Sequence, residues 1–382
     1  MNFALTPQQA QLKESIGRFA RAELNQDLLN REKAQVFNRA GWQRCAEMGI
    51  QGLPIPVCYR GQGADPLTII SALEGLGYGC KDNGLCFAIN AQLWGCTFPI
   101  STFGTERQKE RFLPGLCTGK WIGALAMSER EAGSDAYGLK TVAEHRGEHY
   151  LLNGRKMFVT NGPIADLILV LATVNPGKGA HGISGFLVEN GVPGLTRGPA
   201  IDKMGLRTVP MGELLLENCA VPVENRLGQE GAGLALFNHA MEWERGFILA
   251  SAVGAMQRQW EQCREYARTR RQFGQPIGAF QLVSNKLVDM QVRLETARML
   301  LYKVGWLKTI ERSAVMEAAM AKLYISEAWV QSCQDAIQLH GGYGYLTESE
   351  VERDLRDALA SRLHSGTSEI QRQIIAQWMG LT

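Results

Sequence analysis

The stretch Trp121-Ile-Gly-Ala-Leu-Ala-Met127 marks a change of pattern in this chain. Downstream of it, short apolar runs alternate with turn residues, which is typical of β-strands. The Asn153-Gly154 pair, which lies between two of these runs, favours a hairpin. Residues 121–230 are therefore predicted to form a compact, mostly antiparallel β domain. The runs cover residues 121–127, 149–152, 156–160, 167–174, 183–188 and 212–221.

Helical patterns flank this block on both sides. Upstream, Thr6-Pro7-Gln8-Gln9 combines a capping residue, a proline at the first helical position and a capping-box glutamine, so a helix is predicted to begin there. Further helical patterns cover 34–48, 67–76, 106–113, 232–268, 280–310, 314–339 and 367–378. The predicted fold class is α+β with three domains: N-terminal helices (1–120), an antiparallel β domain (121–230) and a C-terminal helical bundle (231–382). Because strands and helices do not alternate, a nucleotide-binding parallel sheet is disfavoured.

Composition narrows the function classes. The 382 residues are 45% apolar and 20% charged, which is ordinary for a folded globular protein. Lys plus Arg (40) nearly balances Asp plus Glu (38), so nucleic-acid binding is not expected. No apolar run approaches the roughly 20 residues of a membrane helix, and the N-terminus has no signal-peptide pattern. We therefore expect a cytoplasmic protein without a membrane partner.

The cysteines and histidines do not indicate a metal site. Nine cysteines are scattered singly, without a CxxC pair, so reduced and mostly buried thiols are expected instead of disulfides or zinc ligands. His145 and His149 have helical i,i+4 spacing, but they flank a predicted turn. No metal cofactor is predicted.

Several strings resemble motifs of the acyl-CoA dehydrogenase family, in the same order along the chain. Ala124-Leu-Ala-Met-Ser-Glu-Arg-Glu-Ala-Gly-Ser-Asp135 resembles the TEPxAGSD segment of that family, and Leu152-Asn-Gly-Arg-Lys-Met-Phe-Val-Thr-Asn161 its next β-domain motif. The chain is therefore identified as a member of that family, whose α–β–α architecture agrees with the pattern above. The remaining matching strings cover residues 203–207, 221–233, 270–277, 280–281, 338–342 and 365–371.

The resemblance implies non-covalently bound FAD and a homotetramer in which neighbouring subunits share the cofactor site. A hydroxyl at Thr160 suits a polar neighbour of flavin N5, and the planar guanidinium of Arg270 suits a diphosphate. The Gly341-Gly342 pair would let the backbone approach the cofactor closely. The FAD contacts implied by the resemblance are Met127, Ser128, Gly133, Ser134, Phe158, Thr160, Arg270, Phe273, Gln281, Gln338, Gly342, Thr367 and Glu369.

The usual general base of the family is missing. Most members carry a glutamate immediately before Gly-Thr-Ser, where this chain has Ser365. A minority place the glutamate on a C-terminal-domain helix, and the equivalent position here is Glu244 in Met241-Glu-Trp-Glu-Arg-Gly246. Glu244 is therefore predicted to remove the α-proton, with Glu242 as a competitor on roughly the opposite face. Ser134 and Arg245 are expected to contact substrate.

The motif containing Glu244, taken together with Ser361-Arg-Leu-His-Ser-Gly-Thr-Ser-Glu-Ile-Gln371, is similar to prolyl-carrier-protein dehydrogenases of natural-product biosynthesis. Those act on L-proline held as a thioester on the phosphopantetheine arm of an acyl carrier protein. Two alternatives remain open: a short-chain or branched-chain acyl-CoA dehydrogenase with the same base, and a flavin-binding member that lacks dehydrogenase activity or acts as a hydroxylase. Trp94 could narrow the acyl pocket or could be an ordinary core tryptophan.

Overall fold

The computed structural model describes residues 5–381, so the first four residues of the N-terminal segment lie outside it. The chain begins with helices, and the predicted capping box is confirmed. The Gln9 amide donates to Thr6 Oγ1 (3.2 Å) and the Thr6 amide donates to Gln9 Oε1 (3.0 Å). A π-helical turn (Leu93–Thr97) joins two helices that the sequence pattern did not predict, α5 and α6. The helices are α1 (Pro7–Glu23), α2 (Leu28–Ala34), α3 (Arg39–Glu47), α4 (Pro66–Gly79), α5 (Asn83–Gln92), α6 (Phe98–Phe103) and α7 (Glu106–Cys117).

The middle of the chain forms an eight-stranded sheet of order β6-β7-β3-β2-β4-β5-β8, with β1 also paired to β4. Its pairings are antiparallel except β1 with β4 and a single residue pair between β2 and β4. The predicted mostly antiparallel sheet is thus confirmed. The strands are β1 (Gly123–Ala126), β2 (Val142–Arg146), β3 (His149–Thr160), β4 (Leu167–Thr173), β5 (Ile183–Glu189), β6 (Leu195–Arg197), β7 (Met211–Pro222) and β8 (Arg226–Leu227).

The hairpin predicted at Asn153-Gly154 is wrong. Strand β3 runs straight through this pair, and its register with β7 shifts between Leu152 and Gly154, as in a β-bulge. A Cβ atom on Gly154 would lie 2.4 Å from Thr141 Oγ1, so glycine serves close packing here, not a turn. The chain reverses instead between β2 and β3, where Gly147 has a φ of 58°.

The C-terminal part is helical again, with one break that was not predicted. The single helix expected over 232–268 is two helices, α8 and α9, separated at Ile248 and Leu249. Both residues are buried, so the apolar pattern continues across the break and conceals it. Helix α12 was also not predicted. The elements are α8 (Gly233–Phe247), α9 (Ala250–Thr269), β9 (Arg271–Gln272), β10 (Gln275–Pro276), α10 (Gln281–Thr309), α11 (Val315–His340), α12 (Val351–Ala360) and α13 (Ser368–Trp378).

Strand β4 lies between two hydrophobic clusters, which fixes the sheet against the helices. Leu167, Leu169 and Leu171 pack with apolar residues of α7, whereas Ile168 and Val170 pack with β3 and β7. Every residue of β4 is buried, as expected for a strand covered on both faces. A third and larger cluster joins the N-terminal helices to α9, α10 and α11.

The cysteine side chains all lie within the described residues. All nine cysteines are free, and only Cys58 is exposed. Residues 5–381 contain no group of three or more His, Cys, Asp or Glu side chains placed to hold a metal ion. Over the same range, no helix has the length and apolar character needed to cross a membrane.

Candidate active site

Glu244 lies on α8, where its carboxylate meets a turn from the far end of the chain. Ser365 Oγ donates a hydrogen bond to Glu244 Oε1 across a separation of 121 residues. The side chain is half-buried, and its burial raises the pKa of the Glu244 carboxyl above its usual value. The Ser365 hydrogen bond and the charges of Arg245 and Lys322 oppose that shift. A carboxylate with a raised pKa is better matched to proton abstraction near neutral pH than an exposed one.

Glu242, the competing carboxylate, has a structural role. Lys308 Nζ donates to Glu242 Oε1, and the Ala314 amide donates to the same oxygen (2.7 Å). This ion pair ties α8 to the end of α10 and the start of α11. Glu242 is therefore neutralised and occupied, whereas Glu244 has no comparable ion pair within the described residues.

The turn that carries Ser365 is held by donors from three helices. Arg245 Nε donates to the Ser365 carbonyl (3.2 Å), and Lys322 Nζ donates to the Gly366 carbonyl (2.7 Å). Gln371 Nε2 donates to both carbonyls, at 3.2 and 2.8 Å. Ser365 and Gly366 both have positive φ, 57° and 88°. Glycine adopts this conformation freely, but Ser365 does so at an energetic cost that the surrounding hydrogen bonds offset.

Lys322 is a member of the site that the sequence analysis missed. It is fully buried on α11, and burial is the main cause that lowers its pKa to about 8. A lysine within the run Ala318-Ala-Met-Ala-Lys322, on a face that also carries Ile325 and Trp329, is the one signal that could have indicated a buried, functional cation.

The β-domain residues of the site are tied together by a buried ion pair. Lys156 Nζ donates to the Met127 carbonyl (3.0 Å) and to Glu129 Oε1 (2.8 Å). Glu129 also accepts from the Lys140 amide and from the amide and hydroxyl of Thr141. These bonds close the loop after β1. They leave its tip, which includes the predicted contacts Gly133 and Ser134, exposed.

Phe158 projects from β3 at a bulge. The register with β7 shifts between Lys156 and Val159, and Phe158 has a φ of 55° with 58% of its surface exposed. A phenylalanine that is both strained and exposed is typical of a ligand-facing wall. Ser128 and the half-buried Thr160 lie nearby on the same framework, since the Ser128 carbonyl accepts from the Met157 amide (2.9 Å).

A second cluster of predicted residues lies at the ends of α9, α10 and α11. The Arg270 guanidinium lies 5.7 Å from the ring centre of Tyr343, and Phe273, on the β9–β10 hairpin, is 93% exposed. Gln281 and Gln338 are exposed as well. A cavity of about 460 Å³ opens here, within the size range of small-molecule sites. Its lining includes Arg270, Gln272, His340, Gly341, Gly342 and Tyr343.

The two clusters lie at opposite ends of α11. Lys322, which contacts the Ser365 turn, and His340, which lines the second cavity, are 18 residues apart on this helix. At about 1.5 Å per residue, that separation is roughly 27 Å. One chain therefore does not bring all the predicted residues to one place. Of the two C-terminal candidates, Thr367 Oγ1 accepts from the Ile370 amide and caps α13, and Glu369 is exposed in the first turn.

Aromatic side chains pack around Trp243, the residue before Glu244. Trp94 is completely buried, donates from Nε1 to Asn90 Oδ1 (3.0 Å) and stacks on Trp243 with a centroid distance of 6.2 Å. Phe98 and Phe247 pack on Trp243 at 4.6 and 5.1 Å. Trp94 is thus a core residue, and its stack on Trp243 places it against the helix that carries Glu244.

Family comparisons agree with this architecture. Models of the acyl-CoA dehydrogenase N-terminal, middle and C-terminal domains match residues 6–120, 124–219 and 231–380, and the chain belongs to the acyl-CoA dehydrogenase family. It is 40% identical over 381 residues to an L-prolyl-[peptidyl-carrier protein] dehydrogenase of Serratia sp., covering 100% of this chain and 99% of that one. The crystal structure of the prolyl acyl carrier protein oxidase AnaB superposes with a TM-score of 0.98 at 57% identity, covering 99% of this chain and 100% of that one. A structure of PigA with FAD and proline has a TM-score of 0.98 at 40% identity and full coverage of both chains.

Proposed function

We propose that this protein is an FAD-dependent dehydrogenase of a thioester-bound substrate, L-proline on a carrier protein, with Glu244 as the base that takes the α-proton. The observation that carries the proposal is the contact between Glu244 and Ser365. A carboxylate from α8 meets the hydroxyl at the position where most of the family has its glutamate. The names of the Serratia and AnaB relatives support the substrate.

The residues present fit FAD. Arg270 has no acidic partner within 4.0 Å among residues 5–381, so its guanidinium is available for an anionic diphosphate. A Cβ atom placed on Gly133 or Gly342 would meet nothing within 4 Å, which leaves room for a cofactor at both backbones. Phe158 offers an exposed aromatic face for a planar ring. Bound FAD would supply the acceptor for the hydride that leaves the β-carbon.

Each proposed cofactor site draws on two copies of the chain. The separation of about 27 Å between the two clusters supports this arrangement. One cofactor can contact both kinds of cluster more readily if one cluster comes from one subunit and the second comes from a neighbouring subunit. Val288, Val292 and Met299 support it independently. They are exposed apolar residues that share one face of α10 to within about 40°. A homotetramer is the assembly that we propose.

The chain's own groups have distinct tasks in the proposed reaction. Glu244 takes the proton from the α-carbon, and its partial burial strengthens it as a base. Arg245 holds the Ser365 turn through Nε, and its remaining N–H groups are proposed to contact substrate. Ser134, on the exposed loop tip, is proposed to contact the thioester arm. The stacked rings of Trp94, Trp243 and Phe247 form an apolar layer on the helix that carries Glu244, and we propose that this layer favours a small cyclic acyl group.

The first test is an anaerobic visible spectrum of the FAD-loaded protein mixed with prolyl-loaded carrier protein. The flavin band should bleach with the wild type. With Glu244→Gln, FAD should stay bound and bleaching should slow by at least 100-fold, because the amide cannot accept the α-proton. Unchanged bleaching in Glu244→Gln would eliminate Glu244 as the base. Bleaching by free acyl-CoA thioesters but not by the carrier thioester would favour the acyl-CoA alternative, and no bleaching by any thioester would favour a non-dehydrogenase role.

A further inference from the structure

We propose that Ser365 and His364 are positioning residues that together orient the Glu244 carboxylate for proton abstraction. This inference rests on the proposed function, because it assigns a task to the groups that hold the proposed base. The contacts involved run in series. His364 Nδ1 lies 3.0 Å from Ser365 Oγ, and Ser365 Oγ is hydrogen-bonded to Glu244 Oε1.

The direction of the two hydrogen bonds follows from the number of protons. A serine hydroxyl has one hydrogen, and an ionised carboxylate can only accept, so Ser365 donates to Glu244. The Ser365 oxygen must then accept from His364, which requires the His364 tautomer with a proton on Nδ1. The chain of donors thus ends at Oε1, which leaves Oε2 free to face the substrate.

The surroundings of His364 favour a neutral donor. Its ring packs against Phe87 at a centroid distance of 4.7 Å. Burial first, and then the charge of Lys322, lower the pKa of His364 to about 3, so the imidazole is neutral at physiological pH. In its Nδ1–H tautomer, the neutral ring can donate a hydrogen bond to Ser365 Oγ. Because it is neutral, it adds no positive charge beside the Glu244 carboxylate.

The backbone fixes the direction of the Ser365 hydroxyl. The positive φ of Ser365 is maintained by Arg245, Lys322 and Gln371, which donate to the carbonyls of the turn. A side chain on a backbone held from three helices has little freedom to swing away from Glu244. This is the rigidity that a supporting group needs if it is to keep a base within a fraction of an ångström of its working position.

The titratable groups that face Glu244 come from three elements. Arg245 lies on its own helix, Lys322 lies on α11, and neutral His364 lies behind Ser365. Glu242 is directed to Lys308, and Glu327 and Glu369 act on Lys322 instead of on Glu244. The Ser365 hydroxyl is the one uncharged donor in direct contact with the carboxylate among the described residues, so its removal changes orientation and proton affinity together.

The test compares two variants that lose the Ser365 hydroxyl. Ser365→Ala keeps a side chain at positive φ, whereas Ser365→Gly also relieves the backbone, so an effect common to both is due to the hydroxyl. Per bound FAD, the rate of anaerobic flavin reduction should fall about 10-fold at neutral pH in both variants. The rise of that rate with pH should move to higher pH, because the Ser365 bond favours the ionised carboxylate. Crystal structures of both variants should show the Glu244 carboxylate rotated.

His364 is tested in the same way. His364→Phe keeps a ring against Phe87 but has no Nδ1–H, so the pH profile should move in the same direction as in Ser365→Ala. His364→Asn keeps a donor near the position of Nδ1 and should restore part of the rate. Ser71→Ala is the matched control, because it removes a buried hydroxyl that bonds the Leu67 carbonyl (2.8 Å) on α4. It should leave the rate and the profile unchanged.

The outcomes separate this inference from the proposed function. If Glu244→Gln is inactive but both Ser365 variants keep the wild-type rate per FAD and pH profile, the positioning role is wrong and the base assignment stands. Loss of FAD binding alone, with an unchanged profile for the loaded fraction, also rejects the positioning role. If Glu244→Gln still reduces flavin, the base assignment fails and this inference fails with it.

Discussion

At the scale of single residues, the protein buries several charged side chains where its structural elements meet. Asp357 on α12 is an example. Its Oδ1 accepts from the Leu206 amide (2.5 Å) and its Oδ2 accepts from Asn83 Nδ2 (3.0 Å), so it links α12 to α5 and to the loop before β7. Burial raises the pKa of Asp357 to about 6, although these hydrogen bonds and Arg353 oppose the shift.

The raised pKa of Asp357 predicts a pH-dependent stability. The pKa of Asp357 is about 3.8 in the unfolded chain and about 6 in the folded one, so between these pH values the folded state binds one more proton than the unfolded state. The stability that this proton contributes is lost as the pH rises through 6. The shift corresponds to about 3 kcal/mol. Asp357 should therefore make the thermal unfolding midpoint of the wild type higher at pH 5 than it would otherwise be relative to pH 7.5. In Asp357→Asn this advantage of pH 5 over pH 7.5 should be smaller. An identical pH dependence in the two proteins would contradict the assignment.

Lys156 provides a second prediction at this scale. It is the buried cation that ties Met127 and Glu129 to β3, and the burial that accompanies this role lowers its pKa to about 8. Removing one partner of a buried ion pair costs roughly 3 to 5 kcal/mol. Lys156→Met should therefore lower the unfolding midpoint and weaken FAD binding, measured by fluorescence titration. Lys140→Met removes an exposed ion pair with Glu131 and should change neither quantity. Equal losses in both variants would contradict the proposed role of Lys156.

At the scale of elements, bulges and turns determine where the site residues point. The bulge at Gly154 lets β3 pass over Thr141, and the bulge between Lys156 and Val159 turns Phe158 outward. In the helical part, the Ser365 turn and the break between α8 and α9 are the corresponding departures from regular structure. The bulge at Phe158, the Ser365 turn and the break after α8 each occur close to a proposed functional residue.

The Gly154 bulge predicts a steric effect. In Gly154→Val, the new Cβ atom would lie 2.4 Å from Thr141 Oγ1, so strand β3 must shift away from β2. Overpacking of this kind costs about 1 to 3 kcal/mol, measured as a loss in the free energy of denaturant unfolding. Gly147→Asn is the control, because its Cβ atom meets nothing within 4 Å and asparagine tolerates the φ of 58°. A stable Gly154→Val protein would show that the bulge accommodates a side chain.

At the scale of the whole molecule, the proposed site is divided between the two ends of α11. Glu244 and the Ser365 turn lie near one end, and Arg270 and Gly342 lie near the other. The exposed aromatic ring of Phe273 and the apolar face of α10 lie on surfaces that a second copy can cover. The monomer therefore has the base and the second cluster in different places.

A mixing experiment tests this division. Glu244→Gln and Arg270→Ala should each be nearly inactive alone. The two variants are co-expressed with different affinity tags, and hybrid oligomers are purified through both tags. Flavin reduction should be restored in these hybrids, because one of the two shared sites then combines Glu244 of the Arg270→Ala chain with Arg270 of the Glu244→Gln chain. Oligomers of two differently tagged Glu244→Gln chains, purified in the same way, give the baseline rate of flavin reduction. Hybrids as inactive as their parents would place both residues in one chain's site.

Local sequence patterns determined the order of helices, strands and helices and the capping box at Thr6, and the resemblance of short motifs to the family indicated the candidate base Glu244. These features depend on residues within a few positions of one another, so propensity, periodicity and short motifs contain them. A local pattern that is compatible with two structures gave a wrong prediction. Asn153-Gly154 predicts a turn when considered alone, but because β3 pairs with both β2 and β7, the pair forms a bulge within the strand. The continuous apolar pattern likewise concealed the break at Ile248.

Only the tertiary structure decided which distant groups meet. The contact between Ser365 and Glu244 spans 121 residues, and the bond between Lys322 and the Gly366 carbonyl spans 44. Neither pair is related by a helical or strand period, because packing among α8, α11 and α13 brings them together. The same packing places Glu244 and Arg270 apart, since the length of α11 and not the spacing of the motifs sets that distance.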